Sequence, residues 1–320
     1  MNTPLDLLCI GECMVELRGR HGAQDPRPMA LSFGGDSANV AIYLAHYGAA
    51  GSSVRTHYLT AVGEDRYSGE MLDWLNHHHV GTESVSRITG KTAGMYLIEV
   101  DDHGERSFVY YRGQSAARQL FTDATPDAEE AIDGADWVYL SGISVAILTE
   151  AARAVLYRRL DSLRARGGKV VFDTNYRPVL WSGTAEARNV VTEVLRRTDL
   201  ALPTCEDEQE LFGDKDEHAT VDRLQDLGIG EIAVKLGHRG VYVADGGDRT
   251  HIPAVTVAAL DTTAAGDSFN AGYLYRKICG ATAVEAARAG VEVAAAVVAH
   301  PGAIIEPHHL PPMPGCKVRL

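Results

Sequence analysis

Positive charge is what this sequence has least of. Against 43 aspartates and glutamates stand 30 lysines and arginines, a formal net charge of −13 at pH 7. Such a chain has no general attraction to a phosphate backbone or an anionic bilayer, so neither nucleic acid nor a membrane is an expected partner. Long apolar runs are missing too. None approaches the about 20 residues that span a bilayer, and MNTPLDLLCIGEC has no basic stretch ahead of its short apolar segment. The expectation is a soluble, cytoplasmic protein. Cysteine is sparse: Cys9, Cys13, Cys205, Cys279 and Cys316 form no CxxC pair, so free thiols are expected rather than a metal site or a disulfide framework. No Pro/Ser-rich linker, repeat or low-complexity tract divides the chain.

What is present is a chain 45% hydrophobic, enough for a large core. Short apolar runs alternate with helical patterns: LDLLCIGE then SANVAIYLAHYG, DWVYLSG then TEAARAVLYRRLDSLRARG, KVVFDTN then AEARNVVTEVLRR. That alternation predicts βαβ units on a mostly parallel, doubly wound α/β sheet flanked by helices. Late in the chain GVYVADGGDRTHIPA reads as a hairpin that extends the sheet. Two regions, about 12–33 and 93–112, break the rhythm with strands and no helix, and TAGMYLIEVDDHGERSFVYYR predicts a hairpin turning at DDHGE. They are expected to form a small β lid inserted into one domain spanning 1–320, and its exposed edges favour a homo-oligomer.

The segment DTTAAGDSFNAGYLYRKI carries the most chemistry. Small residues Ala264, Ala265 and Gly266 lead through Asp267 into a helix. Unpaired N–H groups at a helix start can stabilise charge on a transferring phosphoryl group, and small side chains let it come close. A carboxylate there can take the proton of an attacking alcohol. Simple N-capping by Asp267 explains the spacing equally well. In SFGGDSANVAIYLAHYG, Gly34, Gly35, Asp36 and Asn39 mark a tight strand-to-helix turn whose backbone can approach a ligand closely and whose amide offers both donor and acceptor. His77, His78 and His79 are consecutive and cannot converge on one ion from a helix, so they read as a solvated helix end. A dinucleotide site is not expected, because the first strand leads into GECMVE and not into GxGxxG.

DTTAAGD resembles the DTxGAGD signature of the ribokinase-like (PfkB) carbohydrate kinases, with Ala264 where a glycine is usual; the Gly34-Gly35-Asn39 pattern is similar to that family's second signature. The resemblance implies a ribokinase-like fold, ATP and Mg²⁺ as cofactors with room for an activating monovalent cation, Asp267 as base, and the 264–266 loop as anion hole. It further implies nucleotide contacts from Asn175, Lys235, Gly237, Gly240 and Gly266. LPTCEDEQEL is similar to the family's NxxE motif but reads Thr204 and Asp207 at its key positions, which leaves Asp207 as a metal ligand acting through water.

GECMVEL, YLSGISVAIL, FDTNYRPVLW and DTTAAGDSF most resemble the family's kinases of 2-keto-3-deoxygluconate. This implies that Tyr96, Tyr110, Arg112 and Arg177 bind a sugar acid, whose carboxylate calls for cations. A solvated Arg112 and a dimer-packing Tyr96/Tyr110 face remain alternatives, as do a fructokinase and a non-catalytic sugar or nucleotide sensor.

Overall fold

The computed structural model describes residues 4–20, 28–51, 54–100 and 106–314. The chain opens with β1 (Leu5–Ile10), β2 (Met14–Arg20), β3 (Ala30–Gly34), helix α1 (Asp36–Gly51), β4 (Val54–Leu59) and β5 (Ala61–Val62). Helix α2 (Arg66–His77), β6 (Ser86–Arg87), β7 (Gly94–Val100), β8 (Arg106–Tyr111) and α3 (Ala128–Asp133) follow. The βα alternation then resumes with β9 (Trp137–Ser141), α4 (Gly142–Ala146), α5 (Glu150–Ala165), β10 (Lys169–Asp173), α6 (Thr184–Leu195), β11 (Leu200–Ala201), α7 (Cys205–Phe212) and α8 (Glu217–Asp226). The last elements are β12 (Glu231–Lys235), the hairpin β13 (Val241–Asp245) and β14 (Asp248–Ile252), and helices α9 (Ala265–Ile278) and α10 (Ala283–Val298).

Eight strands form the main sheet in the order β14-β13-β12-β11-β10-β9-β1-β4. From β4 to β12 every pair is parallel, and the β13–β14 hairpin adds an antiparallel edge. β9, β10 and β12 are almost continuously apolar because helices cover both faces. Two cores result: one packs α1, α9 and α10 on one face, the other α3 to α8 on the opposite face. Helix starts follow the sequence. Asp65, Thr149 and Asp216 accept N–H bonds at the starts of α2, α5 and α8, and Thr282 with Glu285 builds a capping box on α10. β1 lies between β4 and β9, so connections leave it in both directions and a crevice opens at the carboxyl ends of the strands.

The strands expected at about 12–33 and 93–112 make a separate four-stranded sheet, β3-β2-β7-β8. β7 and β8 are antiparallel with Tyr96 opposite Tyr110, while the DDHGE turn lies outside the described residues. Pairing of β2 with β7 is parallel and sets Glu16 beside Tyr96.

The histidine run ends α2 much as expected: His77 and His79 are exposed, whereas His78 is half-buried with its ring nitrogen 3.0 Å from that of His46. The thiol expectation needs one correction. Cys9, Cys13 and Cys205 are buried free cysteines, but Cys279 is disulfide-bonded. The chain returns past α1 and α9, where Tyr47 bonds Pro311 O, a proximity that spacing along the sequence does not reveal.

Candidate active site

The crevice collects the segments that follow β1, β9, β10, β11 and β12, and helix α9 starts against it. Asp261 shapes the approach: its carboxylate accepts Thr263 N at 2.9 Å and Gly302 N at 2.8 Å. Ala264 then turns with φ of 59°, a left-handed conformation that glycine adopts freely and alanine at a cost. Ala264 is the N-cap and gives no side-chain hydrogen bond, so Asp267 sits in the first turn and does not cap the helix. Its carboxylate is therefore free for another task; Ala265 N bonds Thr262 O at 3.3 Å, while Gly266 N and Asp267 N have no backbone partner among the described residues.

Asp267 Oδ2 accepts a hydrogen bond from Asn39 Nδ2 at 2.8 Å. Burial, then the neighbouring charges of Asp36 and Asp173, push its carboxyl up to about 7, against the opposing Asn39 bond and Lys235 charge. Gly35 is what permits α1 to start this close to the β1–β2 connection: a Cβ there would lie 2.2 Å from the Glu12 carbonyl oxygen. Asp36 is fixed by Ser141 Oγ at 2.5 Å and by Asn175 Nδ2 at 2.7 Å.

Beneath the start of α9 lies a buried polar network. Lys235 Nζ donates to Asp173 Oδ2 at 2.6 Å and to Asn270 Oδ1 at 3.1 Å. Asn270 Nδ2 donates to the same Asp173 oxygen at 2.6 Å and approaches Tyr139 OH at 3.1 Å. Every member is buried, which a network in a low-dielectric interior tolerates only when its groups are partnered.

Two cavities meet here. The smaller, about 350 Å³, is bounded by the small sheet and the start of α9, with Asp36, Asn39, Tyr96, Tyr110, Arg112 and Arg177 in its wall. The larger, about 550 Å³, runs under residues 254–259 and is mostly apolar, with Phe269, Val291 and Val298 on one side and Gly237 and Gly240 on the other. Lys235, Thr262, Ala265 and Gly266 belong to both.

The smaller cavity brings together most residues singled out in the sequence. Tyr96 and Tyr110 pair with ring centroids 5.7 Å apart. Arg112 is buried, and its Nε donates to Glu12 Oε2 at 2.8 Å, with Nη2 against the same oxygen. Tyr96 gives its hydroxyl proton to Glu16 Oε2 at 2.5 Å, so toward a ligand it can only accept. Gly34 lies behind Tyr96, whose hydroxyl is 2.6 Å from where a Gly34 Cβ would be. Arg177 lines the mouth with its side chain half exposed, 3.4 Å from Asp207 Oδ1.

Asn175 and Asp207 stand apart from the rest. Asn175, expected beside the nucleotide, lines the smaller cavity: Asp173 Oδ1 accepts its N–H at 3.2 Å, and a φ of 33° turns its amide back to Asp36. Asp207 stands behind Arg177 in neither cavity wall, and burial raises its carboxyl to about 6. Glu12, Asp173, Asn270 and Tyr139 were not singled out. Glu12 and Asp173 lie within the quoted GECMVEL and FDTNYRPVLW segments, and Asn270 follows Asp267 by three positions, one helical turn.

A helix start suited to an anion, with a buried carboxylate beside it and an apolar and a polar cavity on either side, is the arrangement that phosphoryl transfer requires. A family model described as pfkB family carbohydrate kinase matches residues 5–309, and the chain belongs to that family. Of curated relatives, the 2-dehydro-3-deoxygluconokinase of Dickeya dadantii is 38% identical over 97% of this chain and 99% of its own. That of Escherichia coli K12 is 39% identical over 94% and 97%. Among solved structures, a PfkB protein from Polaromonas sp. JS666 superposes with a TM-score of 0.81 over 91% of this chain and 94% of its own, at 24% identity. The protein is thus a carbohydrate kinase, and a ribokinase from Thermotoga maritima, 22% identical over 96% of each chain with a TM-score of 0.74, shares its fold.

Proposed function

We propose that the enzyme transfers the γ-phosphoryl group of ATP to the terminal hydroxyl of 2-keto-3-deoxygluconate, giving 2-keto-3-deoxy-6-phosphogluconate. The observation that carries this reading is the junction of the two cavities at Ala265 and Gly266, with Asp267 on the smaller side. ATP occupies the apolar cavity between the 254–259 segment and α10, with Gly237 and Gly240 beside it; the sugar acid occupies the smaller one. As the substrate oxygen attacks, its proton passes to the Asp267 carboxylate, the new P–O bond forms, and the bond to the β,γ-bridging oxygen breaks to release ADP.

The first-turn N–H groups of α9 receive the charge that develops on the phosphoryl oxygens, and Gly266 lets them be approached. Asn39, whose Nδ2 is committed to Asp267, keeps a buried Oδ1 without a partner that suits a sugar hydroxyl. Arg112 and Arg177 supply the cations for the substrate carboxylate, with Tyr110 beside them.

Magnesium when bound neutralises phosphate charge. Among the described residues no three His, Cys, Asp or Glu side chains are grouped to cage an ion. Mg²⁺ would be held mainly by phosphates and water, and Asp207, outside both cavity walls and behind Arg177, would reach it only through water.

The lid reading of the small sheet extends to assembly. β8 exposes Phe108, Val109, Tyr110 and Tyr111, each more than two-fifths accessible, along an unpaired edge, which favours a homo-oligomer joined there. A kinase that consumes ATP also fits the cytoplasmic expectation, and no helix among the described residues is long and apolar enough to cross a membrane.

The test is ADP release with Mg·ATP on 2-keto-3-deoxygluconate, 2-keto-3-deoxygalactonate, fructose, ribose and adenosine, with and without K⁺. Preference for a keto-deoxy acid supports the proposal. Preference for fructose makes the enzyme a fructokinase and removes the carboxylate role of Arg112 and Arg177; no ADP with any acceptor makes the protein a sensor.

A further inference from the structure

Among the described residues, Lys235 is the one cationic side chain that lines both cavities. An ammonium has three hydrogens to donate. Two are committed, to Asp173 Oδ2 and to Asn270 Oδ1. A Cβ on Gly266 would stand 3.7 Å from Nζ, so Nζ lies directly under the part of the α9 start that has no side chain. We propose that Lys235 is a catalytic residue: held by Asp173 and Asn270 at the wall common to both cavities, its ammonium donates its third hydrogen to a non-bridging oxygen of the phosphoryl group in transit. This rests on the kinase reading above, and it gives Lys235 a role in the transition state beyond contact with bound nucleotide.

A purely structural lysine is the competing account, and the site argues against it. A buried ion pair contributes little net stability compared with a well-packed apolar pair, because desolvation offsets the attraction. Here the pair also recruits Asn270, whose amide bonds both partners and so fixes the direction of Nζ. Asp173 and Asn270 act through Lys235 and are positioning residues. As the bond to ADP breaks and the bond to the sugar oxygen forms, negative charge spreads over the phosphoryl oxygens, and a preset cation there is worth more than in the ground state.

The test compares Lys235→Met with the double variant Lys235→Met/Asp173→Asn, which removes both charges and so spares the fold an uncompensated carboxylate. Steady-state kinetics on the best acceptor should show kcat down by about 10²- to 10³-fold, the loss typical of one anion-hole donor, with the KM for ATP and the Kd for Mg·ADP little changed. The complex with ADP, aluminium fluoride and sugar, which mimics the transferring group, should form with the unaltered enzyme and fail with both variants. A folded double variant that turns over near the unaltered rate overturns the proposal, as does a raised KM for ATP at unchanged kcat. If the unaltered enzyme releases no ADP with any acceptor, the kinase reading itself has failed, and the two failures are thereby told apart.

Discussion

Asn39 and Asp267 are separated by 228 residues of chain and joined by one hydrogen bond of 2.8 Å. Each belongs to a different signature of the sequence, and the bond explains why a carboxylate crowded by Asp36 and Asp173 is oriented toward the smaller cavity. Asn39 donates, so it favours the ionised form, while burial and the two aspartates disfavour it. This balance sets the first prediction. For the free enzyme, kcat/KM falls as pH drops below about 7, tenfold per pH unit. Asn39→Ala removes the donor and moves that acid limb to higher pH, and a pH profile of the two proteins measures the difference.

Asp267→Asn lowers kcat by about 10²- to 10⁴-fold, the usual worth of a general base. Titration with Mg·ATP finds binding retained, because only the proton acceptor is lost.

The same substitution changes stability with a definite sign. The Asp267 carboxyl is raised from its ordinary 3.8 to about 7 in the folded chain. The stability it contributes is complete below the unfolded value and is lost as pH rises through the folded one. Asp267→Asn escapes that loss, so its Tm advantage over the unaltered protein is small at pH 4, grows between pH 4 and 7, and then levels off. Thermal melts across that window decide it.

Arg112→Ala leaves Glu12 buried and without its counter-ion, which costs about 3–5 kcal/mol. Glu12→Gln/Arg112→Met removes both charges and recovers most of that stability. Both variants lose affinity for the sugar acid, read as a raised KM for that substrate with the KM for ATP unchanged. Denaturant melts and kinetics together separate the two consequences.

Ala264→Gly relieves a left-handed alanine, an arrangement that costs about 1–2 kcal/mol, less what the freer unfolded glycine gives back. The expected outcome is a higher urea midpoint with activity retained.

The residues legible in the sequence are those whose role is written locally. Gly35 permits a close approach, Ala264 to Asp267 open a helix, and the β13–β14 hairpin turns at Gly246-Gly247. Local pattern even left the capping role of Asp267 open, since N-cap and first turn differ by a few residues; the αL turn at Ala264 decides it. What was not legible is pairing. Glu12 meets Arg112 across 100 residues and Lys235 meets Asp173 across 62, because strand order and the parallel β2–β7 register bring them together. In each pair one partner had been singled out as a cation awaiting a ligand, and the structure gives it a resident carboxylate first.

The shared wall of the two cavities has a stereochemical consequence. With donor and acceptor placed as proposed, they meet across a wall made of Lys235, Thr262, Ala265 and Gly266, and direct in-line transfer needs no side chain to carry the group between them. Donor and acceptor must then be seated together before anything happens, and a γ-phosphorus made chiral with oxygen isotopes should emerge on the product with its handedness inverted once.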